Sequence, residues 1–117
     1  MRVMVFVKAT RDSEENAIPK AQMAEMMQQM ERYNDELREA GVMIECDGLK
    51  SSSYGKRVAL DGADREVIDG PFDDPGDLVA GYWQWNVKDM DDAVAWVKRC
   101  PNPMPGHSEI EIRPIDG

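Results

Sequence analysis

The chain has 117 residues, 42% hydrophobic and 32% charged, enough for one core but not for two independent ones. A formal net charge of −9 repels phosphate backbones and anionic lipid headgroups, and Lys and Arg are scattered singly apart from Lys56-Arg57 and Lys98-Arg99, so direct nucleic-acid binding is disfavoured. No apolar run approaches the roughly 20 residues that a membrane helix needs, and Val3 to Val7 is too short for a signal-peptide core, so a cytoplasmic, membrane-free protein is the expectation.

Residues 2 to 8 read as a strand that is apolar on both faces, with Val3, Val5 and Val7 alternating with Met4 and Phe6, and such a strand belongs in the middle of a sheet. A polar segment from Thr10 to Ala17 leads to Pro19, suited to a first helical turn because its missing N–H has no partner there anyway. Met23, Met26, Met27, Met30, Tyr33, Leu37 and Ala40 then recur at helical spacing, which predicts an amphipathic helix whose methionines fill the core. Gly41 stands where a left-handed cap is needed, and Val42 to Ile44 starts a second strand. Gly48 to Gly55 reads as a loop, and Arg57 to Leu60 and Arg65 to Ile68 as a hairpin turned at Asp61-Gly62. Asp69 to Asp77, rich in Pro, Gly and Asp, is an irregular connection.

Leu78 to Val87 predicts a long interior strand, with Trp83, Trp85 and Val87 on one face and Tyr82, Gln84 and Asn86 on the other. Asp89 and Asp92 place carboxylates at the start of a second helix that ends at Pro101, and Ile110 and Ile112 alternate with Glu109, Glu111 and Arg113 in a final strand. The order β-α-β-β-β-β-α-β gives a single α+β domain over 1–117 on a ferredoxin-like plan, with both helices on one face of a mainly antiparallel sheet. Large side chains on the opposite face argue for a homodimer in which two sheets cover each other.

Asp69-Gly70-Pro71-Phe72 resembles the signature of the DGPF-domain proteins of the YCII-related family. Gly41-Val42, Gly48-Leu49, Ser52-Ser53, Ala80-Gly81-Tyr82-Trp83 and the run Arg99 to Gly106 leading into Glu109 to Pro114 fit the same family in order. The resemblance implies a dimeric α+β barrel built from two ferredoxin-like subunits. It says less about function: DGPF proteins carry loose associations with transcription initiation, whereas better understood YCII relatives look like small-molecule enzymes with a His-Asp pair near the first strand. Here the corresponding segment, Lys8 to Asp12, has no His, so that pair does not carry over.

Asp69 is the candidate general acid or base, weighed against a turn residue that accepts backbone N–H bonds. Trp83 is a candidate floor for a ligand pocket, and Arg113 a candidate anchor for an anionic group. His107, the single imidazole, is a further ligand-binding candidate weighed against a solvated loop position. Cys46 and Cys100 are expected as buried reduced thiols. Neither a zinc pattern nor a phosphate-cradling motif is present, so no metal or nucleotide cofactor is implied. The leading reading is a dimeric barrel that binds a small organic molecule, with acid–base chemistry at Asp69. Its rival is a non-catalytic accessory module acting through protein contacts, with an acidic surface for a basic partner.

Overall fold

The computed structural model describes residues 1–117. In chain order it contains β1 (Arg2–Lys8), a one-turn helix α1 (Arg11–Glu14), α2 (Lys20–Glu39), β2 (Met43–Gly48), β3 (Lys56–Asp61), β4 (Asp64–Asp69), β5 (Val79–Asn86), α3 (Met90–Lys98) and β6 (Ile110–Pro114). Strands β2, β5, β1 and β6 form a four-stranded sheet in that order, with β1 and β5 antiparallel at its centre. This is a ferredoxin-like arrangement, and the two strands expected to be interior are interior.

The β3–β4 hairpin is not part of that sheet. In the stretch of chain that joins β2 to β5 it forms a separate two-stranded ribbon, with Gly62 at φ +60° opening the turn between the paired residues Asp61 and Asp64. All of its strand residues are exposed, Val58, Leu60 and Val67 among them.

The helix ends follow from local chemistry. Thr10 Oγ1 accepts from Ser13 N at 3.2 Å while Ser13 Oγ accepts from Thr10 N at 2.9 Å, a capping box that folds part of the polar segment Thr10 to Ala17 into α1. At the end of α2, Gly41 adopts φ +73°, its N–H bonds Arg38 O, and Val42 N bonds Leu37 O, both at 3.0 Å. That pair of bonds is a Schellman cap, and it requires the left-handed residue that glycine supplies. Asp89 caps α3 through Asp92 N at 2.8 Å, and the helix stops at Lys98, short of Pro101.

Both helices lie on one sheet face. Val3, Val5 and Val7 of β1 and Trp83 and Trp85 of β5 meet Tyr33 and Leu37 of α2 and Ala93 of α3 in the buried core. Tyr33 stands edge-on to Trp83 with ring centroids 6.0 Å apart, and its hydroxyl donates to Trp96 O at 2.5 Å, joining α2 to α3. Burial, foremost, raises the Tyr33 phenol above its ordinary pKa, so it remains a neutral donor. The opposite face carries Met4, Phe6, Tyr82 and Gln84 in register across β1 and β5, with no layer over them.

The core stripe of α2 is shorter than its sequence pattern. Tyr33 and Leu37 are buried, but Met23 and Met27 are 40% and 66% exposed. The reason lies in the sheet beneath. Cys46 pairs with Trp83 on the helix side, and the next pair on that side is Gly48 with Gly81, two residues without side chains. The first half of α2 therefore has nothing to interdigitate with, and a space opens there.

Candidate functional site: a methionine-lined cavity

That space is a cavity of about 630 Å³ between the first half of α2, the ends of β2 and β5, and α1. Met23, Met26, Met27 and Met30 line it from α2, and Met104 and Cys46 add two further sulfurs. The helix supplies methionines at successive i, i+3 and i+4 positions, so one face presents flexible, polarisable side chains that can fit irregular occupants. Trp83 and the bare pair Gly48 and Gly81 contribute sheet-side lining.

Polar groups are few. Asn34 follows Met30 by one turn and accepts a hydrogen bond from Trp83 Nε1 at 2.8 Å. Ser13, Asn16 and Asp12 come from α1 and its flank, and Lys50 and Ser51 from the loop after β2. Asp47 also belongs to the lining, but it pairs with Tyr82 in β2–β5 register, which sends its side chain to the uncovered face.

Two sides of the cavity are fastened together. Glu14, the last residue of α1, accepts from Ser52 N at 2.9 Å and from the Ser52 hydroxyl, and Ser52 Oγ also accepts from Phe72 N at 3.0 Å. Gly70 N donates to Gly55 O at 3.0 Å, and a Cβ at Gly70 would overlap the Ser52 carbonyl oxygen. The segment Asp69-Gly70-Pro71-Phe72, with a cis Gly70-Pro71 bond, thus clasps the turn at Ser52–Tyr54, which itself holds α1.

The sequence candidates do not converge. Trp83 lines the cavity and is buried. Asp69 is exposed at the end of β4 and pairs with Lys56 across the ribbon. The backbone-accepting role weighed for it falls to Asp74, whose carboxylate accepts from Gly76 N at 3.0 Å. His107 is exposed on the connection between α3 and β6, and Arg113 lies on the uncovered face beside Glu111 at 3.4 Å. No three His, Cys, Asp or Glu side chains come together in a metal-holding group.

Asn34, α1 and the glycine pair escaped the sequence reading. The signal available for Asn34 was a polar residue one turn beyond Met30 on an otherwise apolar stripe. For the glycines it was two strand residues without side chains, whose cross-strand pairing no local pattern reveals.

Cys46 and Cys100 are unpaired and partly buried. Burial pushes the Cys100 thiol up to about 12 from 9.0. Because the thiolate is the nucleophile, alkylation of Cys100 at pH 8 should run at least ~100-fold slower in the native protein than in denaturant, as read by peptide mass spectrometry. A native rate equal to the denatured one would contradict that burial. The folded state holds this proton more tightly than the unfolded state does. Its contribution to stability is therefore complete below pH 9 and is lost as pH rises through about 12.

The fold, the cavity and the clasp define an α+β small-domain protein with a helix-to-sheet pocket. The chain belongs to the YCII-related family, whose domain matches residues 1–116. None of the curated proteins matches it. No helix is long and apolar enough to cross a membrane.

Proposed function

We propose that the protein is a homodimer that binds a small, largely apolar organic molecule in the methionine-lined cavity of each chain. The observation that carries this reading is the cavity itself. Its volume of about 630 Å³ is appropriate to a small-molecule site, and twelve of its 22 lining residues are hydrophobic, with the polar groups at a few fixed places. Asp12, in the first turn of α1, is the lining carboxylate we assign to proton exchange with an occupant, whereas Asp69 stands outside the cavity. The Asp69-Gly70-Pro71-Phe72 clasp supports placing the chain in the DGPF branch of its family.

A second copy is the occupant we assign to the uncovered sheet face. Met4, Phe6 and Tyr82 form its apolar centre. The β2 edge carries Glu45 and Asp47 on that face, while Lys8 and Arg113 on the β1–β6 side share Glu111 between them, at 4.0 and 3.4 Å, which leaves one net positive charge there to oppose the acidic β2 edge of a second copy. Tyr82 donates to Glu45 at 3.1 Å, a bond that raises the pKa of the phenol and keeps it protonated. The exposed Val58, Leu60 and Val67 of the ribbon are assigned to the same contact; they are also the observation that favours the accessory-module reading.

Methionine-methyl NMR tests the cavity directly. A neutral apolar probe, α-methylstyrene, is expected to shift the methyl signals of Met23, Met26, Met27, Met30 and Met104, leaving Met1, Met4, Met43 and Met90 as internal controls. Shifts spread evenly over both groups, or none at all, would sink the reading.

A further inference from the structure

The orientation of one amide in the cavity identifies the chemistry of the occupant, provided that the cavity is a binding site as proposed above. An indole N–H is a donor only, so the atom of Asn34 that lies 2.8 Å from Trp83 Nε1 must be the amide oxygen. The amide cannot flip without setting two donors against each other. Trp83 is only 3% exposed and packs against Tyr33 and Trp85, with ring centroids 6.0 and 5.6 Å away, so the donor that fixes the amide is itself fixed. The Asn34 oxygen is thereby turned to the indole, with one of its two lone pairs used. Its –NH₂ group keeps two N–H donors, and no protein acceptor takes either of them.

We propose that Asn34 is the specificity-determining residue of the cavity, and that its amide N–H donates to an uncharged, carbonyl-type oxygen on an otherwise apolar ligand. The wall around it is made of thioethers, Cys46 and an indole, which favour an apolar body. Neutrality rests on the net charge of the chain: Asp12 and Lys50 offset each other in the lining, while the overall −9 disfavours the approach of an anionic ligand. A ligand with the oxygen gains a hydrogen bond from a donor whose geometry is set in advance, whereas one without it leaves that donor unpaired.

The test is a pair of probes of nearly equal shape, acetophenone and α-methylstyrene, which differ in C=O against C=CH₂. Titrations followed by the cavity methionine methyls are expected to give acetophenone about 3- to 10-fold tighter binding, the size of one neutral hydrogen bond. The side-chain NH₂ signals of Asn34 should move with acetophenone and not with the alkene. In Asn34→Asp the oxygen that accepts from Trp83 is kept and the donors are replaced by a second acceptor, so the ratio should fall to about one or below. An unchanged Trp83 indole N–H signal would verify that the bond to position 34 survives. Equal affinities of the two probes for the wild-type protein, or a ratio that Asn34→Asp leaves intact, would overturn the proposal while leaving the cavity as a binding site. If neither probe shifts the cavity methyls, the binding reading fails and this inference fails with it. The wild-type ratio and the Asn34 NH₂ shifts decide the matter even if the variant does not fold.

Discussion

Gly70→Ala is expected to release the β3–β4 ribbon while the four-stranded core stays folded. Any side chain at this position meets the Ser52 carbonyl oxygen, which belongs to backbone and cannot rotate aside. The Gly70 N to Gly55 O bond and the Phe72 N to Ser52 Oγ bond, at 3.0 Å each, depend on that close approach. Overpacking of this kind costs about 1–3 kcal/mol. The cost falls on a segment with no buried strand residue, so it appears as local opening rather than global unfolding. Trypsin cleavage at Lys56, Arg57 and Arg65 should accelerate about tenfold or more, with a small change in Tm. Cleavage at the wild-type rate would mean that the clasp does not hold the ribbon.

Phe6→Asp should convert the proposed dimer into a monomer. Phe6 sits at the centre of the uncovered face, opposite Tyr82 on one side and Glu111 on the other. A carboxylate there would be buried beside another carboxylate in the assembled pair, at a cost of several kcal/mol. In the isolated chain it would face water, and the core beneath, built on Val5 and Trp83 of the opposite face, would be untouched. Light scattering after size exclusion should give a mass near twice 13.2 kDa for the wild-type protein and near 13.2 kDa for the variant. A wild-type monomer at micromolar concentration would refute the facing-sheet dimer, and the hydrophobic ribbon would then point to a different protein partner.

The fold was largely legible in the sequence because its determinants are local. Two-faced apolar patterns marked β1 and β5 as interior strands, Gly41 marked the end of α2, and Asp89 the start of α3. What was not legible depends on how distant segments meet. Arg57 to Leu60 has ordinary strand character, and nothing within it tells whether the hairpin widens the sheet or leaves it. The methionine repeat of α2 is that of a core helix, and only the pairing of Gly48 with Gly81 turns its first half into a cavity wall. Of the candidate site residues, Trp83 alone lines the cavity, and its size and strand position are what mark it out in the sequence. Asp69, His107 and Arg113 were marked out by residue type, and residue type does not report convergence. Asp69-Gly70-Pro71-Phe72 stands out in the sequence as a motif, and its observed contacts are those of a clasp.

The most direct test of the cavity is the methionine-methyl titration carried out on the wild-type protein and on Gly48→Phe. A Cβ at Gly48 meets nothing within 4 Å, and its register places it on the helix side, so an aromatic ring there would occupy the space beneath α2 without displacing backbone. Saturable shifts by α-methylstyrene at Met23, Met26, Met27, Met30 and Met104 in the wild-type protein, abolished in a folded Gly48→Phe variant, are the expected result. Shifts that persist in that variant would place the ligand elsewhere and contradict the assignment of this cavity as the binding site.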